Sequence, residues 1–409
     1  MSSSEWREVK LGDLVDSISQ RHKFDKEKIV LVNTSDVIEG VVLNHQYVKN
    51  ENLKGQFKKS FRKNDILYSE IRPKNKRFAY VNFDSEDYVA STKLMVLRKK
   101  DENITSEFLY QILKSEDLIN ALQAIAESRS GTFPQITYNE LSRTIVSLPP
   151  LPEQKAIAHI LSTLDEKIEV NNQINKTLEN IAQTIFKQWF VDFEFPNGAK
   201  EPYKSSGGEM VESELGMIPK GWEIVQLQDL ANITMGLSPK SESYNTDFIG
   251  TPLLNGAADF SDGLIKALKY TTKPTRLCKK NDLVFCIRAT IGNITFADKE
   301  YCLGRGVAAI TPKNESYIGL IYYNLKLAMD KLKANATGSV ILGLSKPDIS
   351  NLKIILSGSE TISKYSDISK AILDKKHLIQ FENKKLKELR DSLLPKLMSG
   401  EIRVPIEEN

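Results

Sequence analysis

A long helical segment near the middle of the chain constrains the fold more than any other feature. From residue 149 to residue 192, apolar or asparagine side chains recur every three or four residues, which is the pattern of a heptad seam. The segment opens with LPPLPEQ at residues 148–154, and proline fits the first turn of a helix but not its interior. One helix of about 38 residues would be about 57 Å long. Its seam positions are Leu161, Leu164, Ile168, Asn171, Asn175, Leu178, Ala182 and Ile185.

A second helical pattern follows about 208 residues later, from residue 368 to residue 398. At this offset Leu178 aligns with Leu386, and Asn175 aligns with Asn383. The chain therefore contains an internal repeat. Because neither seam can stay exposed to water, we expect the two helices to pack antiparallel within one chain. The apolar positions of the second pattern are Ile372, Ile379, Leu386, Leu389 and Leu393.

The segments before the two helices also match each other. Residues 5–14 and 221–230 share Trp, Val, Leu, Asp and Leu at one constant offset, and we interpret Trp6 and Trp222 as core anchors. Short β-branched and aromatic runs follow in each half, and then helical patterns over residues 106–126 and 316–336. Proline, glycine and serine interrupt the pattern between the halves, as in a linker. The predicted boundaries are a first domain at 1–148, a long helix at 149–193, a linker at 194–212, a second domain at 213–357 and a second long helix at 358–409.

Composition limits the class of protein. The 409 residues are 41% hydrophobic and 27% charged, which is typical of a folded globular chain, and no run of about 18 apolar residues predicts a membrane span. The N-terminus lacks the basic start and apolar core of a signal peptide. Three cysteines, an odd number, favour reduced thiols in a cytoplasm over a disulfide framework. A net charge of +3 permits binding to nucleic acid but does not establish it.

Signals of catalysis are scarce. The sequence has no Walker-type phosphate loop and no Gly-x-Gly-x-x-Gly step after a strand. Its four histidines show no metal-ligand spacing with one another or with the cysteines, so no metal site is predicted. The Asn/Asp-Pro-Pro-aromatic step expected of an adenine methyltransferase is absent. A nuclease-like grouping of Asp348 with Asp374 and Lys376 is best explained by chance, because the last two lie in the helical repeat.

Polar side chains that suit nucleic acid occur in both halves. Residues 72–77 hold four cations in six positions, with aromatic residues close by, and residues 129–135 form a second polar loop. Lysine and arginine neutralise phosphates, and Arg, Asn and Gln read base edges. Any one of these residues can equally be an ordinary solvated side chain, but their occurrence in both domains strengthens the set. The predicted DNA-binding residues are Arg72, Lys74, Lys76, Arg77, Arg129, Ser130, Thr132, Gln135, Asn255, Arg276, Arg288, Arg305 and Ser339.

Several motifs together resemble the specificity subunit of type I restriction-modification systems. They are the Ser-Gly-Thr step at 130–132 followed by LPPLPEQ at 148–154, the segment FKQWFVDF at 186–193 and the segment LGMIPKGWE at 215–223. With the internal duplication, the resemblance covers nearly the whole chain. The second repeat departs from it, because GSET at 358–361 stands where the first has Pro-Glu-Gln. We expect this departure to weaken only the start of the second helix.

The resemblance implies an α+β fold in which two similar mixed α/β target recognition domains are separated by two long antiparallel coiled-coil helices, a tandem repeat with pseudo-twofold symmetry. It implies a non-catalytic subunit that reads a bipartite DNA site, with one domain for each half-site. It further implies that the helices dock two modification (methyltransferase) subunits, and that restriction subunits join them. This subunit is then expected to act in the cytoplasm and to bind no cofactor itself, because S-adenosylmethionine, ATP and Mg²⁺ belong to the partner subunits.

Two other classes of function stay open on the sequence. One is a methyltransferase or nuclease that acts alone. Transfer of a labelled methyl group to DNA without any partner would favour it. The other is an assembly scaffold that does not read sequence, which equal affinity for random and selected duplexes would favour.

Overall fold

The structure is a computed structural model that describes residues 6–22, 26–51, 55–100, 102–128, 134–336 and 343–405. The chain divides into two compact units. Unit 1 contains residues 1–169 and 385–409, and unit 2 contains residues 170–384. Each unit thus combines one of the predicted domains with a part of both long helices.

The first domain is a mixture of short strands and helices, as the sequence predicts, and it leads into the first long helix. Thr105 caps a helix at Ser106–Leu113 by accepting the backbone N–H of Phe108, and the predicted helix over 106–126 is interrupted after Leu113. The strands are β1 (Arg7–Lys10), β2 (Val15–Ile18), β3 (Lys28–Val32), β4 (Val37–Ile38), β5 (Val41–Val42), β6 (Tyr47–Lys49), β7 (Phe57–Ser60), β8 (Ile66–Ser69), β9 (Phe78–Tyr80), β10 (Tyr88–Ser91), β11 (Leu94–Lys99) and β12 (Ile145–Leu148). The helices are α1 (Leu11–Leu14), α2 (Ser106–Leu113), α3 (Glu116–Glu127), α4 (Tyr138–Ser142) and α5 (Leu151–Phe190).

Two four-stranded sheets form the centre of unit 1. One has the order β2-β11-β8-β9 and is antiparallel, and the other has the order β6-β3-β10-β7, in which β3 and β10 are parallel. Strand β8 is buried on both faces, which explains its unbroken apolar run. Ile66 and Tyr68 pack in the core that contains α2, whereas Leu67 packs in a second core with Val30 of the other sheet.

The second domain repeats this order of elements with small changes. A single helix, α7 (Ile318–Asn335), replaces the pair α2 and α3, and the second sheet gains an edge strand. The strands are β13 (Met210–Ser213), β14 (Gly216–Pro219), β15 (Glu223–Gln226), β16 (Ala231–Met235), β17 (Tyr244–Asn245), β18 (Thr251–Leu254), β19 (Phe260–Ser261), β20 (Leu264–Ile265), β21 (Lys269–Thr271), β22 (Leu277–Cys278), β23 (Leu283–Cys286), β24 (Gly292–Phe296), β25 (Tyr301–Leu303), β26 (Val307–Pro312) and β27 (Lys353–Leu356). The helices are α6 (Leu227–Leu230), α7 (Ile318–Asn335), α8 (Lys346–Ser350) and α9 (Ser359–Met398).

The sheets of unit 2 have the same plan. An antiparallel sheet has the order β16-β26-β23-β24, and a five-stranded sheet has the order β17-β21-β18-β25-β22, with β18 and β25 parallel. Strand β15 pairs with β27 just before α9, as β1 pairs with β12 just before α5. Both domains therefore have one architecture, which confirms the predicted α+β repeat.

The two long helices pack antiparallel in unit 1. Helices α5 and α9 are each 40 residues long, and α9 begins nine residues before the start of its heptad pattern at residue 368. Arg403, just after α9, donates to Glu153 at the start of α5, with a distance of 2.6 Å, and Arg390 donates to Asp165 at 2.9 Å. As the residue number along α5 rises from 153 to 165, the number of the contacting residue in or after α9 falls from 403 to 390, as it does in an antiparallel pair.

The same direction holds in unit 2. The side chain of Asn171 donates to that of Asn383 with a distance of 2.8 Å, and Glu179 forms an ion pair with Lys376. Asn171 and Asn383 are 1% and 7% exposed, so Asn171, one of the two asparagines predicted in the seam, lies between the helices together with Asn383. The antiparallel pairing predicted from the two seams is confirmed.

One seam position was wrong. Leu389 is 48% exposed, whereas Leu394 and Leu397 are buried. The last turns of α9 pack against the core of the first domain, together with Ile157 and Leu161 of α5. The buried face in these turns is therefore set by the domain as well as by the other helix, and a strict heptad does not predict it.

The segment predicted as a linker at 194–212 is folded against the second domain. The ring of Phe195 stacks on Tyr203 with a centroid distance of 4.6 Å and on Trp222 at 4.7 Å. Strand β13 already begins at Met210. The tryptophan predicted as a core anchor therefore holds this segment in place. None of the helices in the described part of the chain is long and apolar enough to cross a membrane.

Candidate nucleic-acid interface

Two polar segments that the sequence analysis selected separately meet in unit 1. The backbone of Ile71, after β8, forms an isolated antiparallel bridge with Gln135. The N–H of Arg72 donates to the carbonyl oxygen of Pro134 with a distance of 3.0 Å. The basic loop at 72–77 and the end of the polar loop at 129–135 thus form one surface, which we call the Arg72 surface.

Unit 2 contains the equivalent junction. Arg288, after β23, forms the same kind of bridge with Gly343, and the N–H of Leu344 donates to the carbonyl oxygen of Ile287 at 2.9 Å. We call this the Arg288 surface. In both domains, a segment distant in sequence therefore pairs with the residues that follow the central strand, β8 or β23.

The two junctions refine the alignment of the repeats. At the offset of 216 that aligns Trp6 with Trp222, Arg72 would fall on Arg288. The bridges instead place Ile71 and Arg288 at equivalent positions, so Arg72 corresponds to Ala289. Arg72 and Ala289 both have left-handed backbones, with φ of 46° and 58°. Such a conformation costs about 1–3 kcal/mol in a residue other than glycine, and it is enriched at functional sites.

Two exposed cations define the Arg72 surface. Arg72 and Lys74 are both exposed to solvent. The backbone N–H of Lys74 donates to Oε1 of Gln123 on α3 with a distance of 3.1 Å, which ties the loop to that helix. The Lys74 ammonium is therefore carried on a braced turn and faces solvent, as a contact to phosphate requires.

Lys76 and Arg77, which the sequence analysis also selects, make contacts within the protein. Lys76 forms an ion pair with Glu116, at the start of α3. Nη1 of Arg77 donates to the carbonyl oxygens of Ser35 and Val37 at 2.9 and 3.4 Å. Both cations are engaged by the protein, so they shape the loop more than they offer charge to a ligand.

Sequence reasoning missed Lys93, which stands in the turn between β10 and β11. Its Nζ is 3.5 Å from Oε1 of Gln135 and 3.7 Å from Oε2 of Glu70, and its carbonyl oxygen accepts the N–H of Glu70. Lys93 thus extends the Arg72 surface to the second sheet. A lone lysine in a short turn between two sheets carries no sequence motif, and it is identified only by its position beside Gln135 in the fold.

The predicted residues of unit 2 also come together. Arg276, Arg288 and Arg305 are exposed, and Asn255 is half-buried at the end of β18. The N–H of Leu303 donates to the carbonyl oxygen of Arg276 with a distance of 2.7 Å, which sets Arg276, just before β22, beside the turn that carries Arg305. The structure therefore brings the described members of the predicted set to one end of the two sheets in each domain. The remaining predicted residues, Arg129, Ser130, Thr132 and Ser339, lie outside the described residues.

The described part of the chain shows no metal cluster, since no group of three or more His, Cys, Asp or Glu side chains in it could hold an ion. Asp348 accepts the N–H of Ser345 at the start of α8, and Lys376 pairs with Glu179, so these two members of the nuclease-like grouping have structural roles. The three cysteines are free and buried. Burial raises the pKa of Cys278 and of Cys286 to about 12, which makes these two thiols poor nucleophiles.

Comparison with known proteins places this architecture in a family. The family described as the type I restriction modification DNA specificity domain matches twice, over residues 3–180 and 219–390. The two matches coincide with the two structural repeats and cover more than half of the chain.

Whole-chain relatives agree. The specificity subunit of the type I restriction enzyme HindI of Haemophilus influenzae is 34% identical over 461 aligned positions, which cover 98% of this chain and 100% of that protein. The putative type I restriction enzyme MjaX specificity subunit of Methanocaldococcus jannaschii is 29% identical, over 83% of this chain and 79% of its own. A crystal structure of the type I restriction-modification S subunit of M. genitalium is 18% identical with a TM-score of 0.62, and the match covers 97% of both chains. That last likeness shows the shared fold.

Fold, duplicated surface and relatives together define a DNA-recognition subunit rather than a catalytic one. The chain belongs to the family of DNA specificity subunits of type I restriction-modification enzymes.

Proposed function

We propose that this subunit reads a bipartite DNA target, with the Arg72 surface on one half-site and the Arg288 surface on the other. The observation that carries the proposal is the repeated junction after β8 and β23, where Ile71 pairs with Gln135 and Arg288 pairs with Gly343. Because one backbone arrangement recurs with different side chains, two domains of one shape can read two different sequences.

The contacts divide by chemistry. Arg72, Lys74 and Lys93 of unit 1 neutralise phosphates, which fixes the position of the domain on the duplex. Gln135 carries an amide that reads a base edge in the major groove. Lys76 and Arg77 act indirectly, by holding the loop that presents Lys74. In unit 2, the exposed arginines Arg276, Arg288 and Arg305 contact either phosphates or base edges in the same way.

We propose two modification subunits as partners, together with restriction subunits. Val170 and Leu378, 208 residues apart in the repeat, are 50% and 64% exposed, and Ile181 and Leu389 at the same offset are 45% and 48% exposed. Large apolar side chains exposed on helices mark contact surfaces for other proteins. Matched pairs in the two repeats support two equivalent docking faces. S-adenosylmethionine, ATP and Mg²⁺ then reside on the partners, and the assembly works on cytoplasmic DNA.

The test uses the full chain assembled with modification subunits and a pool of random duplexes. We expect selection of two short half-sites separated by unread base pairs. Gln135→Ala is expected to relax preference in one half-site and Arg288→Ala in the other. A change in both half-sites from either variant contradicts the assignment of one domain to each half. Selection of no sequence favours a scaffold, and methylation by this chain without partners favours a stand-alone enzyme.

A further inference from the structure

The turn between β25 and β26 carries Arg305 between two glycines. The N–H of Gly304 donates to the carbonyl oxygen of Leu254 with a distance of 2.7 Å, and the carbonyl oxygen of Gly306 accepts the N–H of Ile287 at 2.9 Å. A Cβ atom on Gly304 would lie 2.7 Å from Oδ1 of Asn255, and one on Gly306 would lie 2.0 Å from the Asn255 carbonyl oxygen. Glycine on both sides of Arg305 is thus required because the turn packs directly on Asn255.

The loop that carries Asn255 is braced from within. Asp259, which is 4% exposed, accepts the N–H groups of Asn255 at 2.7 Å and of Gly256 at 3.2 Å with one oxygen. Its other oxygen accepts the N–H of Leu268 at 3.1 Å. These bonds use the backbone of Asn255 and leave its side-chain amide without a hydrogen-bond partner among the described residues.

Among the described residues, Arg305 is held only through its backbone N–H and the Nε of its side chain. Its backbone N–H and its Nε lie 3.3 and 3.4 Å from Oγ of Ser238. The two terminal nitrogens of the guanidinium bond to no side chain or carbonyl in the part of the chain that the structure describes, and the residue is exposed. The turn that carries Arg305 therefore packs on the backbone of Asn255, and both residues carry side-chain groups without a hydrogen-bond partner in the described part of the chain.

We propose that Arg305 and Asn255 form the specificity-determining pair of unit 2, with Arg305 reading a guanine and Asn255 a neighbouring adenine in the half-site of that domain. The chemistry follows from donor and acceptor patterns, since arginine matches O6 and N7 of guanine and asparagine matches N6 and N7 of adenine. The inference rests on the proposed function, because it presumes that this end of the sheets faces DNA.

The equivalent positions in unit 1 carry a different chemistry. Asn33 follows β3 as Asn255 follows β18, and its backbone N–H likewise donates to an aspartate, Asp36. However, Oδ1 of Asn33 accepts the N–H of Thr34 at 2.9 Å. The position equivalent to Arg305 is Thr92, because the N–H of Glu70 donates to the carbonyl oxygen of Lys93 as the N–H of Ile287 donates to that of Gly306. Neither Thr92 nor its neighbour Lys93 has the planar fork of arginine. The guanine–adenine step is therefore assigned to one half-site only.

The experiment measures base preference at every position, with the full chain assembled with modification subunits and a duplex pool randomised in both half-sites. Wild-type protein is expected to select a guanine next to an adenine in one half-site. Arg305→Lys keeps the charge but not the fork, and it is expected to lose the guanine preference at one position, with an affinity for the selected duplex about 5- to 150-fold lower. Asn255→Asp cannot donate to adenine N7 and is expected to lose the adenine preference. Lys204→Ala removes an exposed cation from the 194–212 segment and is the matched control.

The outcomes separate the two proposals. If wild-type protein selects two half-sites and Arg305→Lys retains every preference, Arg305 contacts phosphate at most and the readout pair is overturned. A loss of affinity in Arg305→Lys that is uniform across all sequences overturns the readout pair as well. If wild-type protein selects no sequence in either half, the proposed function itself fails, and the readout pair with it.

Discussion

Arg403 forms a bidentate ion pair with Glu153, with Nε 2.6 Å from Oε1 and Nη2 2.9 Å from Oε2. Glu153 is 0% exposed, and its Oε2 also accepts the indole N–H of Trp6 at 3.0 Å. One carboxylate therefore holds the tryptophan before β1, the first turn of α5 and the tail after α9. The neighbouring Gln154 accepts the N–H of Thr105 before α2, so the Glu-Gln step of the LPPLPEQ motif positions the helix.

Loss of the Glu153 carboxylate should loosen this junction. Glu153→Gln removes the charge-assisted bonds and places an amide N–H against the Arg403 guanidinium. Hydrogen bonds to charged groups contribute about 1.5–3 kcal/mol, and we expect a loss of that size in the opening free energy of the first α5 turn. Hydrogen exchange of the 151–160 backbone measures it. Lys396→Ala, which breaks an exposed pair with Glu401, serves as the control, and equal exchange in both variants would show that Glu153 adds no more than a surface pair.

The asparagines between the helices in unit 2 should be coupled to each other. Asn171→Leu leaves Oδ1 of Asn383 without the donor that it has at 2.8 Å, and an unsatisfied buried acceptor costs about 1–3 kcal/mol. With Leu at both positions the polar mismatch disappears, so thermal stability should recover, while the helix register becomes less specific and self-association increases. A double-mutant cycle on the unfolding temperature, with light scattering for mass, tests this. Strictly additive single effects would argue that the pair does not interact.

Stability in acid should depend on Glu179. Burial by itself raises the pKa of Glu179, but its hydrogen bonds to Lys326 and Lys376 and their charges outweigh burial and hold the pKa below its ordinary value of 4.5. A carboxyl whose pKa is lower in the folded state stabilises above the unfolded pKa and loses that contribution as pH falls through the folded pKa.

Glu179→Gln should therefore lower the unfolding temperature of unit 2 at pH 7, and the difference from wild type should shrink as pH falls below about 4.5. The measurement is a series of thermal melts from pH 7 to pH 3. Glu242→Gln, at an exposed position, is the control and should follow wild type. A difference that stays constant across this range would mean that the charge of Glu179 is unimportant.

The sequence predicts the repeated elements well because their signals are local. Proline marks the start of α5, and apolar spacing marks both helices and the strands. The seam fails at Leu389, where packing on the first domain rather than on the other helix decides which side is buried. The ion pair between Glu153 and Arg403 joins residues 250 positions apart, and no local sequence pattern predicts it.

The residues of the proposed DNA-binding surfaces were only partly predictable for the same reason. Charge density selects residues 72–77, but it does not show that Glu116 and two carbonyl oxygens already engage Lys76 and Arg77. Loops of different length also shift the repeat within the domains, which is why Arg288 corresponds to Ile71 rather than to Arg72. Lys93 needs the fold to bring it beside Gln135.

The last prediction separates exposed from engaged cations on the Arg72 surface. Lys74 is exposed, with its backbone tied to Gln123, so its removal should cost one phosphate contact and little stability. Each phosphate contact adds about 0.9 to the slope of log affinity against log salt concentration. Lys74→Ala should therefore reduce the slope by about that amount, for cognate and unrelated duplexes alike. Lys76→Ala should change the slope by less than half as much, because Glu116 already neutralises that ammonium. Lys155→Ala, on an exposed position of α5, should leave the slope unchanged.

Titrations of the assembled complex at four or more salt concentrations measure the slopes of all three variants. Equal slopes for Lys74→Ala and wild type would remove Lys74 from the DNA interface, and a larger effect of Lys76→Ala would mean that the Glu116 pair opens when DNA binds.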